Sequence, residues 1–271
     1  MNRPEDRARV IAFASGKGGV GKTNIAVNLS VALARMKRRT MLMDCDFGMA
    51  NAAIMLGINS AIDLERFAAG TADLDDVTLA GPSGLHLVPG GSAGNLPPSR
   101  FRLRRRLALE MRSRAHALDY VIVDTPSGCS PQGVSTIVDA DRVILIVSAE
   151  PTAFMDAYAM LKLLALEYEC KSVSVICNMV DDENAGRELF NRFNDVATRF
   201  LASELDFLGS VPRDEHMRAA VFRKRACLDA FPESRASAAL LHIARALDSR
   251  TIAAASGGER FFAMEAMQDA V

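Results

Sequence analysis

The sequence predicts a single α/β domain, a mostly parallel, twisted sheet of about seven strands with helices on both faces. The first observation is a set of short runs rich in Val, Ile and Leu, which recur along the chain with helical apolar spacing between several of them. The second is that some of these runs are apolar at every position, as expected for strands covered on both faces. The predicted strands are 10–14, 40–43, 85–88, 120–124, 143–148, 173–180 and 207–211.

Composition limits what this domain can be. The chain has 271 residues, is 49% hydrophobic and 24% charged, and carries a formal net charge of −1. Such a chain can bury a sizeable core, and its charge gives no overall attraction to nucleic acid or anionic lipid. Neither a transmembrane run nor the apolar core of a signal peptide is present, so a cytoplasmic protein is expected. The five cysteines form no zinc-type spacing, which favours reduced thiols.

The first predicted strand runs into a glycine-rich loop, and a predicted helix over 24–33 follows. The loop reads Gly16, Lys17, Gly18, Gly19, Val20, Gly21, Lys22, Thr23. It fits the phosphate-binding pattern G-x-x-x-x-G-K-[ST] in its strand–loop–helix context, where backbone N–H groups and the helix N-terminus attract phosphate. We expect Lys22 to reach the β- and γ-phosphates and Thr23 to ligate Mg²⁺, with Asn24 beside them. The chain is therefore predicted to bind a nucleoside triphosphate.

A second lysine, Lys17, follows the first glycine of this loop. With it the loop resembles the deviant Walker A signature, K-G-G-x-G-K-[ST], of the MinD/ParA group of P-loop ATPases. The resemblance implies a P-loop NTPase that forms a face-to-face homodimer when it binds ATP and Mg²⁺. In that dimer Lys17 reaches the phosphates of the opposite subunit and stabilises the charge that develops on the transferred phosphoryl group.

Acidic residues end two of the predicted strands. Asp44 and Asp46 follow the second strand, and Asp124 ends the fourth. The resemblance implies that Asp44 and Asp124 hold Mg²⁺ through water, and that Asp46 orients the attacking water. It also makes Lys17, Lys22 and Asp46 the catalytic residues. The alternative for an acid at a strand-to-helix turn is a helix cap.

Two further stretches narrow the resemblance to one branch of the group. Residues 22–29 together with 44–51, and the segment 85–92, resemble the FlhG/FleN branch, which comprises MinD-like ATPases that control flagellar number and placement. The resemblance implies partners among flagellar C-ring proteins, an FlhF-type GTPase or a flagellar transcription activator. It also implies a cytoplasmic protein that could be peripheral at the cell pole or membrane.

The basic stretch 100–106, with Arg112 and Arg114, has two interpretations. A nucleic-acid patch is one, since some ParA proteins bind DNA as dimers. The other is a solvated helix with Leu103, Leu107 and Met111 turned inward. We favour the solvated helix, so nucleic acid is not an expected partner.

The sixth predicted strand ends in a possible base-recognition motif. Asn178 and Asp181 resemble the N-K-x-D guanine reader of GTPases, with Met179 in place of the lysine. Relatives in the MinD/ParA group keep the asparagine for adenine, and the backbone of their Pro-x-Asp segment closes over that base. Carried to Asn178, Pro212 and Asp214, the resemblance implies ATP rather than GTP.

The end of the chain is predicted to differ from the core. Helices are expected over 219–230 and 236–247, the domain over 8–250, and a flexible connector with a short amphipathic tail over 251–271. One side of the tail would carry Phe261, Met264, Met267 and Val271. Membrane-targeting helices of MinD relatives are basic, whereas three acids face a single Arg260 here. We therefore predict that the tail packs on its own core or on a protein partner, with weak or absent membrane binding.

Three functions remain open from the sequence. The leading one is a MinD-like ATPase that dimerises on ATP, regulates flagellar number, placement or assembly, and resets by slow hydrolysis. The second is a positioning ATPase for another cargo, such as a chromosome segment or a polar complex. The third is a nucleotide-locked binding module with negligible hydrolysis.

Overall fold

The computed structural model describes residues 7–47, 49, 51–59, 64–91, 100–170, 172–201 and 205–249. The strands in this part of the chain are β1 Arg9–Ala14, β2 Thr40–Asp44, β3 Leu79–Ala80, β4 His86–Val88, β5 Tyr120–Asp124, β6 Arg142–Ser148, β7 Val173–Val180 and β8 Asp206–Pro212. They form one eight-stranded sheet in the order β3-β4-β2-β5-β1-β6-β7-β8. Every neighbouring pair is parallel except β3 with β4.

Helices cover both faces of this sheet. They are α1 Lys22–Arg35, α2 Asn51–Leu56, α3 Leu64–Ala69, α4 Arg100–Arg114, α5 Pro131–Val138, α6 Pro151–Leu166, α7 Glu183–Leu201, α8 Glu215–Phe222, α9 Cys227–Ala230 and α10 Arg235–Ser249. Along β1, Val10 and Ala12 pack into the core beneath α3 to α7, while Ile11 and Phe13 pack into the core beneath α1, α8, α9 and α10. This alternation explains why the strand is apolar at every position from Val10 to Ala14.

The α/β fold and the seven predicted strands are confirmed, and two details differ. The structure has one strand more than predicted. This additional strand, β3, is an antiparallel edge strand of only two residues, too short to give a periodic signal. The single helix predicted over 219–230 is wrong, because the chain forms α8 and α9 with a break between them. Lys224 has φ 52, and this left-handed residue ends α8.

The basic stretch forms α4, with Leu103, Leu107 and Met111 buried. Among its described side chains, Arg106 pairs with Glu110, and Arg114 pairs with Asp75. The inward apolar side expected for a solvated helix is therefore confirmed.

The predicted connector and tail, 251–271, lie outside the described residues. Within the residues that are described, no helix has the length and apolarity needed to cross a membrane.

The strand order brings distant segments to one edge of the sheet. Because β2, β5 and β1 are parallel neighbours, their carboxyl ends lie side by side, with Asp44 opposite Asp124 and Asp124 opposite Phe13. The loop after β1 and the acids after β2 and β5 therefore share this edge, where open α/β sheets commonly place their ligands.

Candidate functional site

The glycine-rich loop spans residues 15–21 between β1 and α1 and is enclosed by two neighbours. A β-carbon on Gly16 would lie 1.9 Å from the backbone oxygen of Asp156 on α6, and one on Gly21 would lie 2.4 Å from Nδ2 of Asn178 at the end of β7. Gly21 also has a left-handed backbone, with φ 88. Since neither position has room for a side chain, the loop depends on glycine at both ends.

The N-terminus of α1 is open toward a ligand. Gly21 caps the helix without a side-chain hydrogen bond, and Gly18 and Gly19 next to it are exposed. First-turn N–H groups lack intrahelical partners and attract phosphate. The side-chain oxygen of Asn24, in this first turn, accepts a hydrogen bond from Nδ2 of Asn28 at 2.9 Å.

A buried ion pair lies directly behind the loop. Nζ of Lys22 is 2.5 Å from Oδ1 of Asp124, and both side chains are buried. The other carboxylate oxygen of Asp124 is buried and accepts no hydrogen bond within the described part of the chain. Burial raises the pKa of Asp124, against the opposing effects of Lys22 and the Thr23 hydroxyl. Both features favour a further cation at this carboxylate.

Asp44 lies beside Asp124 and is equally buried. Its Oδ1 accepts the N–H of Asp46, and its Oδ2 accepts the N–H of Ala52 in α2, both at 3.1 Å. Burial, followed by the charge of Asp124, raises the pKa of Asp44 to about 7. The capping alternative from the sequence thus describes part of what Asp44 does, because its carboxylate fixes the start of α2. Asp46 is half-buried on the connection between β2 and α2.

The oxygen atoms at this edge fit Mg²⁺. Two carboxylates and the Thr23 hydroxyl are hard ligands of the kind that this ion takes. No group of three His, Cys, Asp or Glu residues in the described structure could hold a metal ion by itself. Mg²⁺ would therefore depend on Thr23 and on phosphate oxygens as well as on Asp44 and Asp124.

Lys17 makes its contacts within its own chain, at the start of α6. Its Nζ donates a hydrogen bond to Oγ1 of Thr152 at 2.9 Å and is 3.8 Å from Oε2 of Glu150. A contact of Lys17 with Glu150 or Thr152 was not predicted from the sequence. The available signal was their position, since they open a helix after an apolar strand whose end lies at the same edge of the sheet.

Asn178 is buried against the other side of the loop. Its Nδ2 donates a hydrogen bond to the backbone oxygen of Val20 at 2.7 Å. This hydrogen bond uses one of the two N–H donors of the amide and orients its plane, so the amide oxygen lies on the side away from the oxygen of Val20.

The segment after β8 approaches the end of β7. Pro212 is paired with Val180, whose oxygen accepts the N–H of Arg213 at 2.7 Å. The carboxylate of Asp214 accepts the N–H of His216 in α8 and that of Ala236 in α10, both at 3.0 Å. Although burial opposes it, these hydrogen bonds hold the pKa of Asp214 below its ordinary value. The side chain of Asp214 thus fixes the starts of two helices.

Comparison with known proteins agrees with this geometry. Residues 11–226 match the family model of the CobQ/CobB/MinD/ParA nucleotide binding domain. The antiactivator FleN of Pseudomonas aeruginosa is 38% identical over 258 residues, which cover 95% of this chain and 92% of FleN. The flagellum site-determining protein YlxH of Helicobacter pylori is 30% identical over 236 residues, covering 83% and 79% of the two chains.

The fold has a counterpart among solved structures. The septum site-determining protein MinD of Pyrococcus horikoshii, solved in complex with Mg-ADP, has a TM-score of 0.72 and 26% identity, covering 89% of this chain and 96% of its own. The family model spans most of the chain, and FleN matches nearly all of it. The chain therefore belongs to the MinD/ParA family of P-loop nucleotide-binding proteins, in the branch that contains FleN and YlxH.

Proposed function

We propose that this protein is a Mg²⁺-dependent ATPase that closes into a homodimer on ATP and is reset by slow hydrolysis, in the control of flagellar number or placement. The observation that carries the proposal is the buried cluster of Lys22, Asp124 and Asp44 beside an open glycine loop. A cation and a triphosphate would satisfy the unused oxygen of Asp124 and the N–H groups of the loop together.

In the proposed reaction each side chain has one task. The loop from Gly16 to Asn24 binds the phosphates, and Thr23, Asp44 and Asp124 hold Mg²⁺, the two acids through water. The bound Mg²⁺ would neutralise charge on the β- and γ-phosphates. Asp46 lies two residues after Asp44, and the hydrogen bond between them fixes its backbone. From there its carboxylate would orient the water that attacks the γ-phosphate.

The preference for adenine follows from the orientation of Asn178. One N–H of its amide is engaged by Val20, which orients the amide plane, and its oxygen would accept a hydrogen bond from the amino group of adenine. Guanine presents an oxygen at that position, so two acceptors would face each other. Pro212 and the backbone of Asp214 would close over the ring.

Dimerisation would move Lys17. Its ion pair with Glu150 is largely exposed, and such a pair contributes about 0–1 kcal/mol, so release is inexpensive. In the dimer the amino group would instead contact the phosphates of the opposite subunit and stabilise the transition state there.

The flagellar assignment rests on the two named relatives. FleN is an antiactivator and YlxH a flagellum site-determining protein. FleN aligns with nearly the whole chain, which favours a flagellar transcription activator as partner over C-ring proteins or an FlhF-type GTPase. A cargo such as a chromosome segment, as for other ParA-type ATPases, is the alternative.

The test combines the cell and the purified protein. Deleting the gene should change the number or position of flagella, and only a wild-type copy, not Lys22→Ala, should restore them. Purified protein should hydrolyse ATP in a Mg²⁺-dependent manner. Unchanged flagella in the deletion strain would contradict the flagellar role, and absent single-turnover hydrolysis would favour a nucleotide-locked module.

A further inference from the structure

One residue of β7 does not follow the strand. Met179 has φ 59, a left-handed backbone within an otherwise extended segment. Asn178 pairs with Val211 and Val180 pairs with Pro212, so Met179 is the extra residue of a β-bulge. Met179 is 37% exposed, whereas Asn178 and Val180 are 4% and 3% exposed. The bulge therefore turns this one side chain out of the sheet.

The side chain extends along the phosphate loop. Its Cε lies 3.6 Å from the position that a β-carbon would take on Gly21, the residue that caps α1. The preceding Asn178 bonds to Val20 in the same loop, and the following Val180 accepts the N–H of Arg213. Three segments thus meet at the bulge, and Met179 is exposed where they meet.

A left-handed backbone is uncommon for a residue other than glycine, asparagine or aspartate, and such strain concentrates at functional sites. Core packing does not explain it here, because more than a third of the residue is exposed. A methionine needed only to fill a gap in the sheet would be buried.

We propose that Met179 is a binding contact for the base of the nucleotide, with its thioether packed against the face of the purine ring whose edge Asn178 recognises. This inference rests on the proposed function, that the site binds ATP. A polarisable sulfur makes favourable contacts with aromatic rings and imposes no hydrogen-bond pattern. Met179 would therefore add affinity for a purine, while Asn178 distinguishes adenine from guanine.

The test separates binding of the base from binding of the phosphates. Affinities of Mg-ATP and of inorganic tripolyphosphate with Mg²⁺ are measured by calorimetry for wild type, Met179→Ala and Met179→Gly. Tripolyphosphate engages the loop without a base. Both variants should bind ATP about threefold to tenfold more weakly and tripolyphosphate as wild type does. Met179→Gly should have a Tm at or above that of wild type, because glycine adopts the left-handed backbone freely.

The matched control is Lys37→Gly. Lys37 also has a left-handed backbone, with φ 64, but is exposed at the opposite end of α1. Its replacement relieves the same kind of strain, and the ratio of ATP to tripolyphosphate affinity should not change.

Two results would overturn the proposal in distinguishable ways. If wild type binds ATP no more tightly than tripolyphosphate, base recognition fails and the proposed ATP specificity fails with it. If wild type prefers ATP but the Met179 variants keep the wild-type ratio, whether or not both affinities fall, only the role of Met179 is refuted.

Discussion

Two lysines of the phosphate-binding segment 16–24 lie in opposite environments. The side chain of Lys22 is 6% exposed and that of its partner Asp124 is 0% exposed, whereas Lys17 is 42% exposed and its partner Glu150 65%. A buried charge cannot leave its partner without a large desolvation cost, while an exposed ion pair exchanges readily with water. The difference is what the proposed dimer requires, in which Lys22 stays in the site of its own chain and Lys17 leaves an exposed contact to reach the site of a second copy.

Removing the fixed lysine should have the largest effect. Lys22→Ala should abolish detectable ATP binding, because the main cation for the phosphates is lost. It should also destabilise the nucleotide-free protein by about 3–5 kcal/mol, since Asp124 is left buried without its partner. Calorimetry and urea unfolding measure the two effects.

A second variant separates these effects. Lys22→Ala combined with Asp124→Asn should recover most of the stability but none of the binding. A single variant as stable as wild type would show that the buried pair is not what distinguishes Lys22 from Lys17.

Removing the exposed lysine should affect turnover alone. Lys17→Ala should slow ATP hydrolysis about 100-fold or more, because a charge supplied across the dimer is lost from the transition state. The free energy of unfolding should change by less than about 1 kcal/mol. Steady-state hydrolysis and urea unfolding give both numbers, with Lys162→Ala, an exposed lysine on α6, as the control. A loss of stability comparable to that of Lys22→Ala would contradict the difference inferred between the buried Lys22 and the exposed Lys17.

Asp44, which is buried beside Asp124, offers a test through the pH dependence of the free energy of unfolding. Its pKa is raised from 3.8 to about 7, so protonation stabilises the folded state fully below pH 3.8, and this contribution is lost as the pH rises through 7. Without Mg²⁺ and nucleotide, Asp44→Asn should therefore be more stable than wild type by about 1–3 kcal/mol at pH 8, after the loss of one accepted hydrogen bond. The gain should shrink at pH 5. Urea unfolding in EDTA at both values measures it, and an equal difference at both would contradict the pKa argument.

The residues proposed to contact the base should have a smaller effect, on the preference between ATP and GTP. ATP should bind at least tenfold more tightly than GTP, about 1.4 kcal/mol, because the amide oxygen of Asn178 would accept from the 6-amino group of adenine, where guanine carries an oxygen. Competition against a fluorescent nucleotide measures the ratio. If GTP bound tenfold more tightly, the interpretation of Asn178 to Asp181 would be wrong.

Those parts of the fold that depend on local pattern could be predicted from the sequence. The Val- and Ile-rich strands are of this kind. The break between α8 and α9 was not predictable, since Arg223 to Ala226 retain ordinary helical propensity. The break is fixed by a tertiary contact instead, because Oδ1 of Asn28 accepts the N–H of Cys227 at 2.7 Å and so caps α9 from another helix.

The candidate site also has one part that a local sequence pattern predicts and another that it does not. The loop and the three acids carry a spacing that can be recognised, and the structure brings Lys22, Asp44 and Asp124 together. The partners of Lys17 within its own chain and the bulge at Met179 depend on how neighbouring strands are placed and paired. No local pattern contains that information.

The central claim, that ATP closes a dimer in which Lys17 acts on the opposite subunit, is tested most directly with Asp46→Ala. Without the acid that orients the attacking water, hydrolysis should be slow and the ATP-bound state should accumulate. Light scattering after size exclusion, at saturating ATP and Mg²⁺, should then give twice the monomer mass, and the monomer mass with ADP. A monomeric Asp46→Ala protein under saturating ATP and Mg²⁺ would contradict the claim.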